Sequence, residues 1–76
     1  VHPDFYCLNL RTRQEFIWEH FGMMDDLEYA QNAVSKIQSY QKNGYFPGKN
    51  LITTFETKTS PISTKQIEQI AREYLL

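Results

Sequence analysis

Few residues in this chain have the means to do chemistry, and the most suggestive are two carboxylates. Asp4 opens an apolar, strand-forming run, Phe5-Tyr6-Cys7-Leu8, and Glu19 lies near the end of a second run, Phe16-Ile17-Trp18-Glu19-His20-Phe21. In an antiparallel hairpin the chain goes out and comes back, which brings both acids to the same end of the sheet. Two carboxylates there repel by roughly 3 kcal/mol at ~5 Å with an effective dielectric of ~20. A hard divalent cation, Mg²⁺ or Mn²⁺, relieves that repulsion. Such an ion takes one or two carboxylates and fills its shell with waters and substrate phosphates. The plainer alternative is that both acids are solvated at strand ends.

The other candidates are weaker when read alone. His20 follows Glu19 directly, so on a strand its side chain faces the other way; a lone histidine is more often a hydrogen-bonded structural residue than a ligand or base. His2 carries no argument. Lys36 and Tyr40 are four apart and share one helix face, where the ordinary reading is a solvated lysine beside a half-buried tyrosine. Glu56-Thr57-Lys58 spells an acidic-x-Lys triplet, but a surface cross-strand pair is the better account of so short a match. There is no Cys/His metal cluster, no phosphate-binding glycine loop and no nucleophile with a histidine partner, so hydrolysis by a protein nucleophile is not expected.

The elements that must position these groups follow from pattern. Residues 4–10 and 14–21 are two strands joined by the polar Arg11-Thr12-Arg13, and Gly22 closes the second. Asp25 or Asp26 then opens a helix, Asp25 with Glu28 resembling a capping box. Leu27, Ala30, Val34 and Ile37 fall at helical spacing as its buried stripe, with Lys36 roughly 130° round from them. Asn43-Gly44 ends the helix. Leu51–Thr57 reads as a third strand, and Ser63 with Gln66 caps a terminal helix whose stripe is Ile67, Ile70, Ala71 and Tyr74. The order β-β-α-β-α describes an α+β fold with a mixed sheet, because a helix between strands two and three lets them lie parallel.

At 76 residues this is a single domain, spanning 1–76, with a core built largely from eleven aromatic side chains. Eight basic against nine acidic residues exclude a binder that relies on bulk positive charge, although they leave room for a local nucleic-acid site. One cysteine, Cys7, forms no internal disulfide and points to a cytoplasmic protein; no run is long and apolar enough for a membrane partner.

Taken together, Pro3-Asp4, the string Trp18-Glu19-His20-Phe21-Gly22-Met23 and a helix bearing Lys36-Ile37-Gln38-Ser39-Tyr40 resemble the PD-(D/E)XK nuclease superfamily. More narrowly, the chain looks like bacterial nuclease-like domains that carry such a Trp-Glu-His-Phe-Gly-Met segment and are often found with helicase-type or restriction-type proteins. The resemblance covers residues 3–58. It implies part of a restriction-endonuclease-like core, with that superfamily's first helix and strand lying ahead of Val1, and an exposed edge that favours homo-oligomers. It also implies Mg²⁺- or Mn²⁺-dependent phosphodiester hydrolysis acting on nucleic acid, DNA in the first instance. Asp4 and Glu19 would hold the metal with the backbone carbonyl of His20, Lys36 would serve catalysis, and Tyr40 would contact phosphate or fix Lys36. His20 would also lie against the substrate. Arg11 and Arg13 would help with phosphates, although their turn belongs to the opposite end of the sheet. One departure stands out: the triplet's lysine position falls on Phe21, and some members carry that lysine on the following helix, where Lys36 sits. A non-catalytic member that binds DNA or a protein is the alternative, and an unrelated α+β interaction domain is a third reading.

Overall fold

The alternation of large side chains in Phe16-Ile17-Trp18-Glu19 sends successive residues to opposite sides of a strand that is buried on both faces. In the computed structural model, which describes residues 2–76, this strand is β2 (Glu15–Phe21). The others are β1 (Phe5–Leu8), α1 (Leu27–Lys42), β3 (Leu51–Phe55) and α2 (Thr64–Leu75). The sheet runs β1-β2-β3. β1 pairs antiparallel with β2, Phe5 across from Trp18, and β3 pairs parallel with β2, Ile17 across from Leu51. The fold is α+β with a mixed sheet, because α1 carries the chain back along the sheet before β3 begins.

Each face of the sheet holds its own core. On one side Phe16, Trp18 and Ile52 pack with Cys7 and with Ile70, Ala71 and Tyr74 of α2. The Phe16 and Tyr74 rings meet edge to face at 5.6 Å. On the other side Ile17 and Leu51 pack with Tyr40 of α1 and with Tyr45.

Several boundaries and one helix face differ from the sequence expectation. β1 stops at Leu8 instead of residue 10 because Asn9 turns the chain. Its side-chain oxygen accepts the N–H groups of Arg11 and Thr12 at 2.9 and 3.0 Å, and its amide donates to the Tyr74 carbonyl at 3.0 Å. β3 stops at Phe55; the Glu56 N–H still donates to the Phe21 carbonyl at 2.9 Å, but its side chain bonds His20 and does not pair with Lys58. The cap of α1 is Asp26, whose carboxylate accepts the Tyr29 N–H at 2.9 Å. Asp25 instead accepts the Lys58 N–H. Ser63 and Gln66 form the expected capping box on α2. Gly44 follows α1 at φ 89°, a conformation suited to glycine.

The expected buried stripe of α1 is the main correction. Of the four expected residues Leu27 and Val34 are 76% and 52% exposed and Ala30 and Ile37 only half-buried, whereas Ala33 and Tyr40 are buried. Tyr29, Lys36 and Ile37 are half-buried beside them, so the helix is turned by roughly a quarter-turn from the apolar count. Tyrosine bodies and the lysine stem cover the sheet while their polar ends reach other groups, and a count of aliphatic residues alone misses that.

Candidate active site

Asp4 just before β1, Glu19 of β2 and Lys36 of α1 line one cleft of about 270 Å³, together with His20, Phe21, Tyr29, Asn32 and Ala33. The β1–β2 register, continued one residue beyond Phe5 and Trp18, sets Asp4 across from Glu19 on the α1 side of the sheet. Asp4 is exposed, and its Oδ2 accepts the backbone N–H of His20 at 2.8 Å. Glu19 is 1% exposed. Lys36 Nζ donates to Glu19 Oε2 at 3.0 Å, and the Tyr40 hydroxyl donates to Glu19 Oε1 at 2.6 Å. A carboxylate taken out of water needs such partners, and here one cation and one phenol provide them.

Tyr40 therefore stands behind Glu19, off the cleft wall. It is buried, it does not line the cleft, and its hydroxyl is committed to the carboxylate. Burial, then the hydrogen bond to Glu19 and the negative charges nearby, push its ionisation well above the ordinary tyrosine range. It stays a neutral donor.

His20 divides between the two faces. Its ring lies on the α2 side, Nδ1 2.8 Å from Thr54 Oγ1 and Nε2 2.7 Å from Glu56 Oε1. Trp18 Nε1 donates to the same threonine oxygen at 3.2 Å, and the Glu56 carboxylate accepts from Nε2–H. Glu56 Oε2 accepts the N–H of Ile62, tying the segment before α2 to the sheet. The ring is thus structural, and only the backbone of His20 serves the cleft. Its N–H reaches Asp4, and its carbonyl points the same way, because the two groups of a strand residue share a direction.

Phe21, at the position where the PD-(D/E)XK pattern would have lysine, is buried and stacks on Phe55 with ring centres 5.4 Å apart. Arg11 and Arg13 stand in the turn at the far end of β1 from Asp4, where Arg11 donates to the Leu76 carbonyl at 3.2 Å. Neither approaches the cleft of its own molecule. Sequence reasoning missed Tyr29 and Asn32. Asn32 is four residues before Lys36, a spacing that would have placed it on the same face. Tyr29 accepts the Gly22 N–H at 3.1 Å and joins the helix to the end of β2.

Among the described residues no group of three or more His, Cys, Asp or Glu gathers as metal ligands, and no helix is long and apolar enough to cross a membrane. Comparison with protein-family models, with curated proteins and with solved structures finds no match to this chain.

Proposed function

We propose that the Asp4–Glu19–Lys36 cleft is the site of a divalent-metal-dependent nuclease, hydrolysing phosphodiester bonds of DNA, in a domain resembling part of the restriction-endonuclease-like core of the PD-(D/E)XK superfamily. One observation carries the reading: Lys36, from the helix, contacts the same carboxylate that lies across from Asp4, at 3.0 Å. A cation is thereby supplied beside the acidic pair although Phe21 occupies the triplet's lysine position.

The donor set suits Mg²⁺ or Mn²⁺. Asp4 and Glu19 are hard oxygen donors, and the His20 carbonyl points toward Asp4, so a small cation would be held by two carboxylates, a carbonyl and waters. Glu19 accepts one hydrogen bond on each oxygen, and each oxygen keeps a second lone pair. Two acids against one lysine leave the cleft negative, so a nucleic-acid phosphate is repelled until a cation compensates. A bound divalent ion polarises a phosphate and makes a water more acidic. The chain does the rest by position. The His20 N–H holds Asp4, Tyr40 holds Glu19, and Lys36 has two further N–H donors with which to meet charge developing on a phosphate oxygen. The Asn32 amide, on the cleft wall, is available to the phosphate backbone.

A second reading rests on a specific feature. Both Glu19 oxygens are already engaged by Lys36 and Tyr40, an arrangement that also suits a domain of this type that binds DNA or a protein without cutting. Nicking of supercoiled DNA separates the two. The nuclease reading expects nicking in Mg²⁺ or Mn²⁺, none in chelator, and a loss of about 100-fold or more in Lys36→Ala. DNA that is retained by the protein but stays intact in both metals supports the second reading.

A further inference from the structure

We infer that the N-terminal half of α1 holds a second phosphate of the strand being cut, bound by the Tyr29 hydroxyl and the Asn32 amide next to the scissile phosphate at Lys36. The contact belongs to the proposed nuclease site and rests on that reading. Tyr29, Asn32 and Lys36 all line the cleft, and their spacing of three and four residues sets them on one face of the helix. At about 1.5 Å of rise per residue, Asn32 stands about 6 Å and Tyr29 about 10 Å along the axis from Lys36. No single phosphate spans that length. A phosphate held at Lys36 therefore leaves the other two side chains for its neighbour on the strand.

Both side chains have donors to spare. Tyr29 Oη accepts the Gly22 N–H at 3.1 Å, which fixes the hydroxyl at the end of β2, and among the described residues no acceptor takes its proton. Asn32 is exposed, and its amide has no hydrogen-bond partner among the described residues. The acids of the cleft, Asp4 and Glu19, stand on the sheet side, so its helix wall offers N–H and O–H groups and no carboxylate. A phosphate oxygen only accepts, and it suits such a wall better than a base edge, which mixes donors with acceptors. The track is short. Asp26 and Glu28 stand at the start of the helix, beyond Tyr29 as seen from Lys36, both exposed and both negative. A third phosphate would meet repulsion there. The site takes two consecutive phosphates.

Equilibrium binding of thymidine dinucleotides in Mg²⁺ reads the second contact directly, comparing the plain dinucleotide with forms carrying a 5′-phosphate, a 3′-phosphate or both. Chromatography of the recovered dinucleotide checks that it stays intact. One of the two terminal phosphates should tighten binding by about tenfold, the size of a hydrogen bond to a charged group. The other should add little, alone or in combination. In Asn32→Asp, at an exposed site, and in Tyr29→Phe that ratio should fall to near one, whatever becomes of the affinity for the plain dinucleotide. Tyr29→Phe also removes the acceptor of the Gly22 N–H, so if its thermal melt shows a damaged fold, Asn32→Asp decides alone. A wild-type ratio near one at both ends overturns the inference, as does a ratio that Asn32→Asp keeps. Plasmid nicking in Mg²⁺ separates the two levels. Nicking without the second contact leaves the nuclease reading standing, whereas neither nicking nor dinucleotide binding removes both.

Discussion

Glu19 shows how one residue ties stability to chemistry. Its carboxylate sits 1% exposed in the middle of a strand, held by Lys36 on one oxygen and Tyr40 on the other. Removing the lysine charge leaves a buried anion with one partner, a far worse state than removing both charges. Because Lys36 is itself 30% exposed, Lys36→Met should lower stability by about 2 kcal/mol and not the full penalty of a deeply buried pair. Denaturant titration of Lys36→Met, Glu19→Gln and the double variant checks it, with the double variant recovering about 1 kcal/mol relative to the sum. Tyr40 makes a prediction at high pH. Its pKa is raised in the folded chain, so as pH climbs past the ordinary tyrosine value of 10.0 the unfolded chain releases that proton and the folded chain keeps it. The unfolded state then binds fewer protons, and stability falls with rising pH. Tyrosinate absorbance in wild type should show one tyrosine that ionises only on unfolding, and Tyr40→Phe should lack that step.

At the scale of elements, the interest lies in α1. Substituting lysine for Leu27 or Val34 should move the urea midpoint by no more than the equivalent of about 0.5 kcal/mol, because both side chains face water. Ala33→Leu should cost about 1–3 kcal/mol by overpacking against the sheet, since Ala33 is 3% exposed. The element order was legible because strand runs, caps and turn residues each carry a local signal, as Ser63 with Gln66 shows. The face of α1 was not, because Tyr29, Lys36 and Tyr40 bury their stems and bodies while counting as polar. The same rotation is what aims Lys36 at Glu19, so the error in the helix face and the missed contact have one cause. Asn9 and Glu56 were illegible for another reason: their bonds to Tyr74 and His20 span 65 and 36 residues, and no local pattern encodes such partners. The meeting of Asp4 with Glu19 was legible from hairpin arithmetic, since register alone decides it.

For the molecule as a whole, 76 residues support two small cores on either side of three strands, so the margin of stability is a few kcal/mol and small added terms are easy to read. That makes ligand linkage a sensitive probe of the cleft. On the reading proposed for it, Asp4 and Glu19 share a divalent ion beside Lys36. A thermal melt with and without Mn²⁺ or Mg²⁺, on wild type and on Asp4→Asn, tests it most directly, because Asp4 is exposed and its loss spares the core. At metal concentrations ~100 times the dissociation constant, wild type should gain about 2.7 kcal/mol. In a domain this small that is a rise of about 10 °C or more. Asp4→Asn should lose most of that rise. A wild-type melting temperature indifferent to both metals, or a rise that Asp4→Asn keeps in full, would contradict a metal site between these two carboxylates.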